Sequence, residues 1–495
     1  MASATLKRIT FSGDDAHVWI RLPLGGSDDL LEVKEIDGTG HAALRPSGKH
    51  WGSTCYTLEL GRGGNLSSLY HGAFRFFIGQ REIPVTAKPL LKKSLTACGY
   101  KHVFSTAEDG RLELRITTAW ARGERKAEER DRNAVEAYAE FRKLPIDEHK
   151  IFFESMSTRY YNDNPRAIYE ELRDRGGNWK LVWGLKNCKT DIGNGGIVAM
   201  YNSLDYWRHI ATSKYIVSNI NQFQLVKRPE QVVINTMHGI PLKHMGLDAA
   251  KSAATREKMI RVFTQDWDIF VSPCDYMTDI IRSESYGFKG RVLEFGYPRA
   301  DILVNNANNN QLRQTVRDML GVPDGKKLIL YAPTFRSKKK LDIPLDFAAL
   351  KEALGSDYCI AFRSHYLLKK FIDPAIYNDF ILDGNVVENT NDLLIGTDVL
   401  ITDYSSIMFD FSLFKRPMFF YIPDWERYMK RRGMYFDLQG EYPELCATTI
   451  DGLLALFEEA NQSKSALDRF SKRFNQYETG HAAKDVVDEI WGEIS

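Results

Sequence analysis

A histidine beside a glycine is the first candidate for acid–base chemistry. His238 stands in TMHGIPLKHMG, directly after an apolar run that predicts a β-strand, and Gly239 and Pro241 restrain the loop that follows. An imidazole titrates near neutral pH and is suited to remove a proton from a hydroxyl group. The same His-Gly pair also fits ordinary turn chemistry, and both interpretations stay open. His244 is predicted to lie within the following helix, in a structural role.

Two serines that follow another strand indicate a phosphate site. In LITDYSSIMFDF, residues 400–411, the strand ends before Asp403, and Ser405 and Ser406 come where the next helix is predicted to begin. Hydroxyls and free N–H groups at a helix start bind anions, so this segment could hold a diphosphate. The alternative is that Asp403 or a serine is an ordinary N-cap. Asp410, one turn after the serines, could support the serine loop or face solvent.

Arginines that follow two further strands could bind phosphate oxygens. Thr334 and Arg336 stand in YAPTFR, and Arg363 and His365 stand in FRSH, each just beyond an apolar run. The rigid fork of arginine matches two phosphate oxygens at once, and His365 can add a hydrogen bond or a proton. Solvation at the surface is the alternative for each arginine. Lys338–Lys340 are predicted to form a solvated loop.

An acidic residue follows one more strand-like run. Glu388 in VVENTND, which also contains Asn391, could bind a ribose hydroxyl, as carboxylates commonly do in nucleotide sites. It could equally cap the helix predicted to begin near Asp392.

Several familiar catalytic patterns are missing from the sequence. It contains no GxxxxGK[ST] loop, no GxSxG elbow, no HExxH pair and no Cys/His spacing typical of a metal site. Asp266 and Asp268 precede an apolar run instead of following a strand, so they do not indicate a metal-bound sugar nucleotide. We therefore predict a transferase with no metal ligands and no required cofactor.

The elements that must position these residues fall into successive regions. Residues 1–120 alternate in the manner of strands and predict a β-rich accessory domain, and residues 121–149 predict a charged, solvated helical linker. From 150 onward, apolar strands alternate with helices, which is typical of a parallel sheet. The polar run 305–311 interrupts that pattern. We predict Rossmann-like domains over 150–320 and 321–495, with a cleft between them in which ligands sit at the carboxyl ends of strands.

Composition bounds the class of protein. A chain of 495 residues with 43% hydrophobic residues and a mean hydropathy of -0.35 is globular, and a net charge of +1 gives it no overall attraction to anions. Six scattered cysteines fit a reducing cytoplasm, and no segment resembles a signal peptide or a membrane span. Peripheral attachment to a membrane stays possible through a basic surface such as Lys430–Arg432. No nucleic-acid partner is predicted.

Together the motifs resemble the CDP-glycerol glycerophosphotransferase family, which includes polymerases and primases of wall teichoic acid and is also seen among capsule polymerases. The resemblance covers residues from about Lys150 to the C-terminus. It is carried, in order, by FESMSTRYYNDNPRAIYEEL, YIVSNINQF, HGIPLKHMG, GYPRADIL, YAPTFR, FRSH, LITDYSSIMFDF and KRPMFFYIPDWERYMKRRGMYFD.

This resemblance implies a fold and a reaction. The fold would be a GT-B architecture, with an acceptor-side half over 150–320, a CDP-donor half over 321–495, and C-terminal helices that cross back to the first half. The reaction would move glycerol phosphate, or another polyol phosphate, from a CDP-polyol to a hydroxyl of a teichoic-acid or capsule polymer or of its polyprenyl-diphosphate-linked primer, with release of CMP. The enzyme would work in the cytoplasm, at the inner face of the membrane.

The resemblance also implies roles for the candidate residues. His238 would be the base on the acceptor hydroxyl, and His365 would contact the donor phosphates. Arg336 and Arg363 would join His365 on the donor phosphates, and Ser405 and Ser406 would bind the pyrophosphate. Thr334, Glu388 and Asp403 complete the predicted CDP-donor site because of their own positions after strands. Two other functions stay open at this point: a GT-B glycosyltransferase that uses an NDP-sugar, and a non-catalytic module that binds polymer.

Overall fold

A computed structural model describes most of the chain. The described residues are 5–22, 30–36, 41–50, 53–61, 63–66, 69, 72–78, 81–83, 92–118, 127–249, 252–334, 343–364, 372–387, 389–459 and 463–492. They divide into two compact units. Unit 1 comprises 1–161 and 179–214, and unit 2 comprises 162–178 and 215–495. The domain boundaries expected from the sequence follow a different division and stay a prediction.

The N-terminal part of unit 1 consists of antiparallel strands whose side chains alternate between core and surface. The strands are β1 (Thr5–Ser12), β2 (Asp15–Arg21), β3 (Leu31–Glu35), β4 (His41–Leu44), β5 (Gly48–His50), β6 (Ser53–Glu59), β7 (Gly72–Ile78), β8 (Arg81–Glu82), β9 (Lys92–Ala97), β10 (Tyr100–Thr106) and β11 (Leu112–Thr118). One sheet has the order β1-β2-β6-β5, and another has the order β4-β3-β7-β11-β10-β9, with β8 paired to β7. Apolar residues of both sheets share one core.

The rest of unit 1 is α/β. Its parallel strands are β12 (Asp147–Glu154), β13 (Lys180–Leu185) and β14 (Ile197–Met200). Its helices are α1 (Ala127–Phe141) and α3 (Leu204–Thr212). The sequence predicts α1 to be a solvated linker, and the structure corrects this. The Tyr138 side chain is buried and its ring lies 5.0 Å from that of Trp207, because an apolar stripe on α1 packs on α3.

Unit 2 contains two sets of parallel strands. In the first set, β15 (Ser213–Ser218, which belongs to unit 2 from residue 215 onward), β16 (Val232–Asn235), β17 (Ile269–Val271) and β18 (Arg291–Leu293) pair in chain order. The second set comprises β19 (Lys327–Ala332), β20 (Tyr358–Phe362), β21 (Ile381–Asp383), β22 (Val399–Thr402), β23 (Met418–Tyr421) and β24 (Cys446–Ala447). These strands are nearly continuous apolar runs because parallel sheets are covered on both faces.

The second sheet has the order β21-β20-β19-β22-β23-β24. Counted from β19, this is the doubly wound order 3-2-1-4-5-6. Successive strands are added on one side of β19 up to β21 and on the other side from β22 onward, so the switch point lies between β19 and β22. Ligands of such sheets bind at the carboxyl ends of the strands beside this switch point. Here the segments that leave β19 and β22 carry Thr334 and Asp403–Ser406.

Helices of unit 2 connect and cover these strands. They are α2 (Asp163–Arg175), α4 (Ala253–Arg261), α5 (Asp275–Arg282), α6 (Asp301–Asn305), α7 (Asn310–Leu320), α8 (Phe347–Leu354), α9 (Thr390–Gly396), α10 (Ile407–Phe411), α11 (Trp425–Arg432), α12 (Leu438–Glu441), α13 (Ile450–Glu458), α14 (Lys464–Phe474) and α15 (Ala482–Trp491). Among the residues described, no helix is both long enough and apolar enough to cross a membrane.

The C-terminal helix packs on the first set of strands of unit 2. Both carboxylate oxygens of Asp301 accept the first amides of α15, from Ala482 and Ala483, at 2.8 Å each. At the other end of the helix the buried ring of Trp491 lies 5.4 Å from the ring of Tyr215. A side-chain cap and an aromatic contact therefore fix both ends of α15.

Candidate active site

His238 is exposed just beyond β16, at the carboxyl edge of its parallel strands. Its Nδ1 lies 3.0 Å from the backbone oxygen of Asn219. A carbonyl oxygen can only accept a hydrogen bond, so in the neutral ring Nδ1 carries the proton and Nε2 has the lone pair. Met237 takes a left-handed conformation, with φ of 50°, and its amide donates to Asn235 Oδ1 at 2.9 Å. This tight turn presents an imidazole in the tautomer of a base.

The residue after His238 brings this turn against the serine segment. A Cβ added to Gly239 would lie 3.1 Å from Ser406 Oγ and 3.2 Å from Ser406 Cβ. Gly239 also has φ of 155°, a conformation that side chains rarely adopt. The absence of a side chain here therefore allows the histidine turn to approach Ser406 closely.

Asp403 ties the two segments at the switch point of the second sheet. Its buried carboxylate accepts the amide of Thr334 at 2.7 Å, and the hydroxyl of Thr402 donates to the oxygen of Ala332 at 2.7 Å. Ser405 and Ser406 follow, half-buried, before the short helix α10. Asp403 thus fixes the segment that carries Thr334, and the serine hydroxyls stand at the position where a doubly wound sheet binds its ligand.

Arg363 is engaged with a neighbouring loop. Its Nη1 donates to the oxygens of Gly384 (2.9 Å) and Val387 (2.5 Å), the loop that leads to Glu388. The side chain of Asn389 caps helix α9 by accepting the amide of Asn391 at 3.0 Å. Arg363 therefore organises the loop that precedes Glu388.

Several predicted site residues lie outside the described part of the chain. They are Arg336, Lys338–Lys340, His365 and Glu388. Their assignment to the CDP donor stays a prediction from the sequence.

His244 does not lie in a helix, which corrects the prediction. The amide of His244 donates to the oxygen of Gly433 at 3.2 Å, and Lys243 forms a bridge with Met434. The ring of His244 lies 4.9 Å from the ring of Tyr435. This pairing with a distant segment keeps Lys243 and His244 out of a helix, and a 3-10 helix begins only at Gly246, so local helix-forming tendency does not decide their conformation.

Arg299, for which the sequence alone predicts no role, binds both the histidine turn and helix α10. Its Nη1 donates to the oxygen of His238 at 2.9 Å and to Asp163 at 3.1 Å. Its Nη2 binds both carboxylate oxygens of Asp410, at 2.9 and 3.0 Å. Of the two alternatives left open by the sequence, support of the serine loop and exposure to solvent, the first fits better, because Asp410 is largely buried and anchors α10, the helix that follows the serines, to Arg299. The sequence does contain a signal that could have indicated a buried role for Arg299, because GYPRADIL places this arginine within a largely apolar segment.

Burial and charge act in opposite directions on this cluster. Burial disfavours the charge of Arg299, but the carboxylates of Asp163 and Asp410 outweigh that effect, and the pKa of Arg299 is raised. Burial raises the pKa of Asp410, and Arg299 opposes that shift. Arg299 consequently stays charged at any pH at which the protein is folded.

Glu478 is a second buried acid near this cluster. Its Oε1 accepts the amide of Tyr297 at 3.0 Å, and its Oε2 is buried with no hydrogen-bond partner among the described residues. Burial raises the pKa of Glu478 to about 8; Asp410 and Asp301 add to the shift, while Arg299 opposes it. The folded protein therefore holds a proton on Glu478 near neutral pH.

This proton makes stability depend on pH. An unfolded chain ionises a glutamate near pH 4.5, whereas the folded chain resists ionisation until about pH 8. The folded state binds more protons between these values, so its free energy of unfolding falls as the pH rises through that window. Glu478→Gln cannot ionise, and we expect it to raise the Tm at pH 8 by about 2 °C or more, with little change at pH 4.5.

Thermal melts at the two pH values check this expectation. Glu444→Gln is the matched control, because Glu444 is 44% exposed in an ion pair with Arg469 and contributes little to stability. An equal effect of Glu478→Gln at both pH values would contradict the assignment of a shifted pKa to Glu478.

The residues that unit 2 brings together suit transfer of a group to a hydroxyl. The histidine turn lies against Ser406 through Gly239, the residue after the exposed His238. Arg299 binds the backbone of His238 and the helix that follows the serines. A base can remove a proton from an attacking hydroxyl, and hydroxyl donors can stabilise charge on transferred oxygens. The arrangement places acid–base chemistry next to a candidate phosphate site.

Comparison with known proteins identifies the family. The profile of the family described as CDP-Glycerol:Poly(glycerophosphate) glycerophosphotransferase matches residues 136–492. A teichoic acid poly(glycerol phosphate) polymerase of Staphylococcus epidermidis is 34% identical over 364 residues, which are 70% of this chain and 50% of that protein. A teichoic acid glycerol-phosphate transferase of Staphylococcus aureus is 32% identical over 370 residues, which are 70% of this chain and 94% of that protein.

Solved structures agree with the sequence comparison. The wall teichoic acid polymerase TagF is 31% identical, with a TM-score of 0.68 over 73% of this chain and 94% of that chain. A histidine variant of TagF soaked with CDPG is 30% identical, with a TM-score of 0.67 over 74% of this chain and 96% of that chain. The chain spans about half the length of the first curated relatives it matches, 50% and 49%. It belongs to the CDP-glycerol:poly(glycerophosphate) glycerophosphotransferase family.

Proposed function

We propose that this chain transfers glycerol phosphate, or a related polyol phosphate, from a CDP-polyol to a hydroxyl group of a polyol-phosphate polymer or its lipid-linked primer. CMP is the second product. The observation that carries the proposal is the turn of the exposed His238, which approaches Ser406 through Gly239, in a chain of this family. Its relatives bear the names of teichoic acid polymerases and transferases.

The geometry supports a direct displacement. Nε2 of His238 takes the proton of the acceptor hydroxyl while that oxygen attacks the phosphorus that carries the polyol. The bond from this phosphorus to the oxygen of the nucleotide phosphate breaks, and CMP leaves with that oxygen. The Nδ1 bond to the oxygen of Asn219 holds the ring and stabilises the imidazolium that forms. No covalent enzyme intermediate is required.

The donor diphosphate is proposed to lie at the switch point of the second sheet. Ser405 and Ser406 offer hydroxyl groups there, and Asp403 fixes Thr334 beside them. Arg336, His365 and Glu388 complete the donor site in this proposal. Charge that develops on the transferred phosphoryl oxygens needs fixed donors, so positioning supplies most of the rate enhancement.

We also propose the GT-B architecture for the α/β part of the chain. Supporting observations are the two sets of parallel strands in unit 2, the doubly wound order of the second, and the docking of α15 on Tyr215 and Asp301. The acceptor would be processed at the inner face of the cell membrane, where a polyprenyl-linked primer is held.

A donor panel tests the proposed function. The purified chain is incubated with a polyol-phosphate acceptor and, in turn, CDP-glycerol, CDP-ribitol and several NDP-sugars, and the nucleotide released is identified. We expect CMP from a CDP-polyol and no nucleotide from NDP-sugars, because the acceptor attacks phosphorus and not a sugar carbon. Mixtures without acceptor provide the background rate of hydrolysis.

Two other results would redirect the assignment. Release of NDP from a nucleotide sugar alone would indicate a GT-B glycosyltransferase. Retention of polymer without turnover of any donor would indicate a binding module. Either result overturns the proposed reaction.

A further inference from the structure

One guanidinium joins the histidine turn to the serine segment. Arg299 donates to the oxygen of His238 with Nη1 and to both oxygens of Asp410 with Nη2. Asp410 belongs to α10, the helix that begins directly after Ser406. The two pieces of the candidate site that are proposed to act on acceptor and donor are thereby held by a single planar group.

Hydrogen bonds to its backbone fix Arg299 itself. Its amide donates to Asn164 Oδ1 at 3.1 Å, and its oxygen accepts from Asn391 Nδ2 at 2.8 Å. Asn164 Nδ2 in turn donates to the oxygen of Met237, the residue before His238, at 3.2 Å. The side chain of Arg299 is only 12% exposed. Helix α2, the histidine turn, α9 and α10 therefore all bind this one residue.

We propose that Arg299 is a positioning residue that fixes the distance between the His238 base and the phosphate site at Ser405 and Ser406. The inference rests on the proposed function, and it adds a residue with no assigned role to the machinery of that reaction. Arg299 acts through the backbone of His238 and through Asp410, not by contact with the reacting atoms. A displacement of about 1 Å between base and substrate can cost about 100-fold in rate, so rigid spacing matters here.

The geometry demands arginine and not merely a positive charge. Nη1 and Nη2 bind different partners in one plane, which the single ammonium group of lysine cannot reproduce. Arg299→Lys therefore keeps the charge that Asp163 and Asp410 require but loosens the link between the two segments. This separates positioning from simple charge neutralisation.

Steady-state kinetics with CDP-glycerol test the role. We expect Arg299→Lys to lower kcat by about 10- to 100-fold, with KM for the donor changed by less than about threefold. In a His238→Ala background the same substitution should have almost no further effect, since Arg299 acts through that base. Full additivity of the two substitutions, or an unchanged kcat in Arg299→Lys, would overturn the proposal.

Arg317→Lys is the matched control. Arg317 lies on helix α7 and is 14% exposed, and its Nη1 donates to Asp398, the residue before β22, at 2.8 Å. The same chemical change at equal burial should leave kcat within about twofold of the original chain. If Arg299→Lys does not fold, Asp410→Asn retains the side-chain shape, weakens the same link and is expected to lower kcat in the same manner.

Chemical modification of His238, which requires no enzymatic turnover, tests the positioning role of Arg299 independently of the proposed reaction. Diethyl pyrocarbonate modifies unprotonated imidazole nitrogens, and peptide mass spectrometry gives the rate at His238 relative to the exposed His149. We expect Arg299→Lys to raise the relative rate at His238 by at least about twofold and Arg317→Lys to leave it unchanged. An unchanged rate refutes the positioning role even if no CDP-polyol is a substrate, and absence of CMP release with a changed rate refutes only the reaction.

Discussion

His238→Ala will lower the rate of CMP release from CDP-glycerol by about 10²- to 10⁴-fold, the range that a general base contributes. The imidazole is exposed and its Nδ1 proton is held by the oxygen of Asn219, so Nε2 is the atom that can accept a proton. The acceptor hydroxyl then has no base, whereas the donor keeps its proposed contacts at the serine segment. Binding of CDP-glycerol, measured by titration calorimetry, should change by less than about threefold.

His244→Ala is the control within the same motif. This ring contacts Tyr435, and its loop pairs with residues 433–435, so it has a structural environment and no place in the proposed chemistry. We expect its kcat to stay within about tenfold of the original chain. Loss of donor binding in a folded His238→Ala protein, or full activity of that variant, would contradict the assignment of His238 as the base.

Gly239→Ala will lower kcat/KM by about 100-fold. The added methyl would lie 3.1 Å from Ser406 Oγ and 3.2 Å from Ser406 Cβ, on a backbone with φ of 155°. The histidine turn must then move away from the serine segment, and displacements of about 1 Å have effects of this size. Circular dichroism and thermal melts on the same samples establish that the chain stays folded.

Combining Gly239→Ala with a second substitution, Ser406→Gly, identifies the cause of the lower kcat/KM. Ser406→Gly removes both atoms that the new methyl would meet, so Gly239→Ala should cost less there than in the original chain. The backbone strain at residue 239 remains in both backgrounds. An equal cost in the two backgrounds, or no cost in either, would show that the approach of the histidine turn to Ser406 is not needed for activity.

Much of the α/β part of the chain could be predicted from local sequence. The apolar runs that end before His238 and before Asp403 are strands, and both residues lie at carboxyl ends of parallel strands, as predicted. Helix α2 lies where NPRAIYEELRDR indicates it. Such apolar runs predict strands well, because a strand of a parallel sheet is covered on both faces and must be apolar on both.

The contacts that organise the site could not be predicted in this way. Arg299 meets Asp163 and Asp410 across 136 and 111 positions of sequence, and neither spacing leaves a periodic signal. The burial of Tyr138 against α3 and the non-helical conformation at His244 likewise depend on distant partners. Tertiary contacts override local propensity at these positions.

The fate of the phosphate between nucleotide and glycerol shows directly whether the acceptor attacks phosphorus or carbon. CDP-glycerol labelled at the phosphorus that carries glycerol is incubated with the chain and a poly(glycerol phosphate) acceptor, and the label is followed in polymer and nucleotide. We expect all transferred label to enter the polymer while unlabelled CMP accumulates. Label that stays with the nucleotide as CDP would mean that the acceptor attacks carbon, and it would contradict phosphoryl transfer by this site.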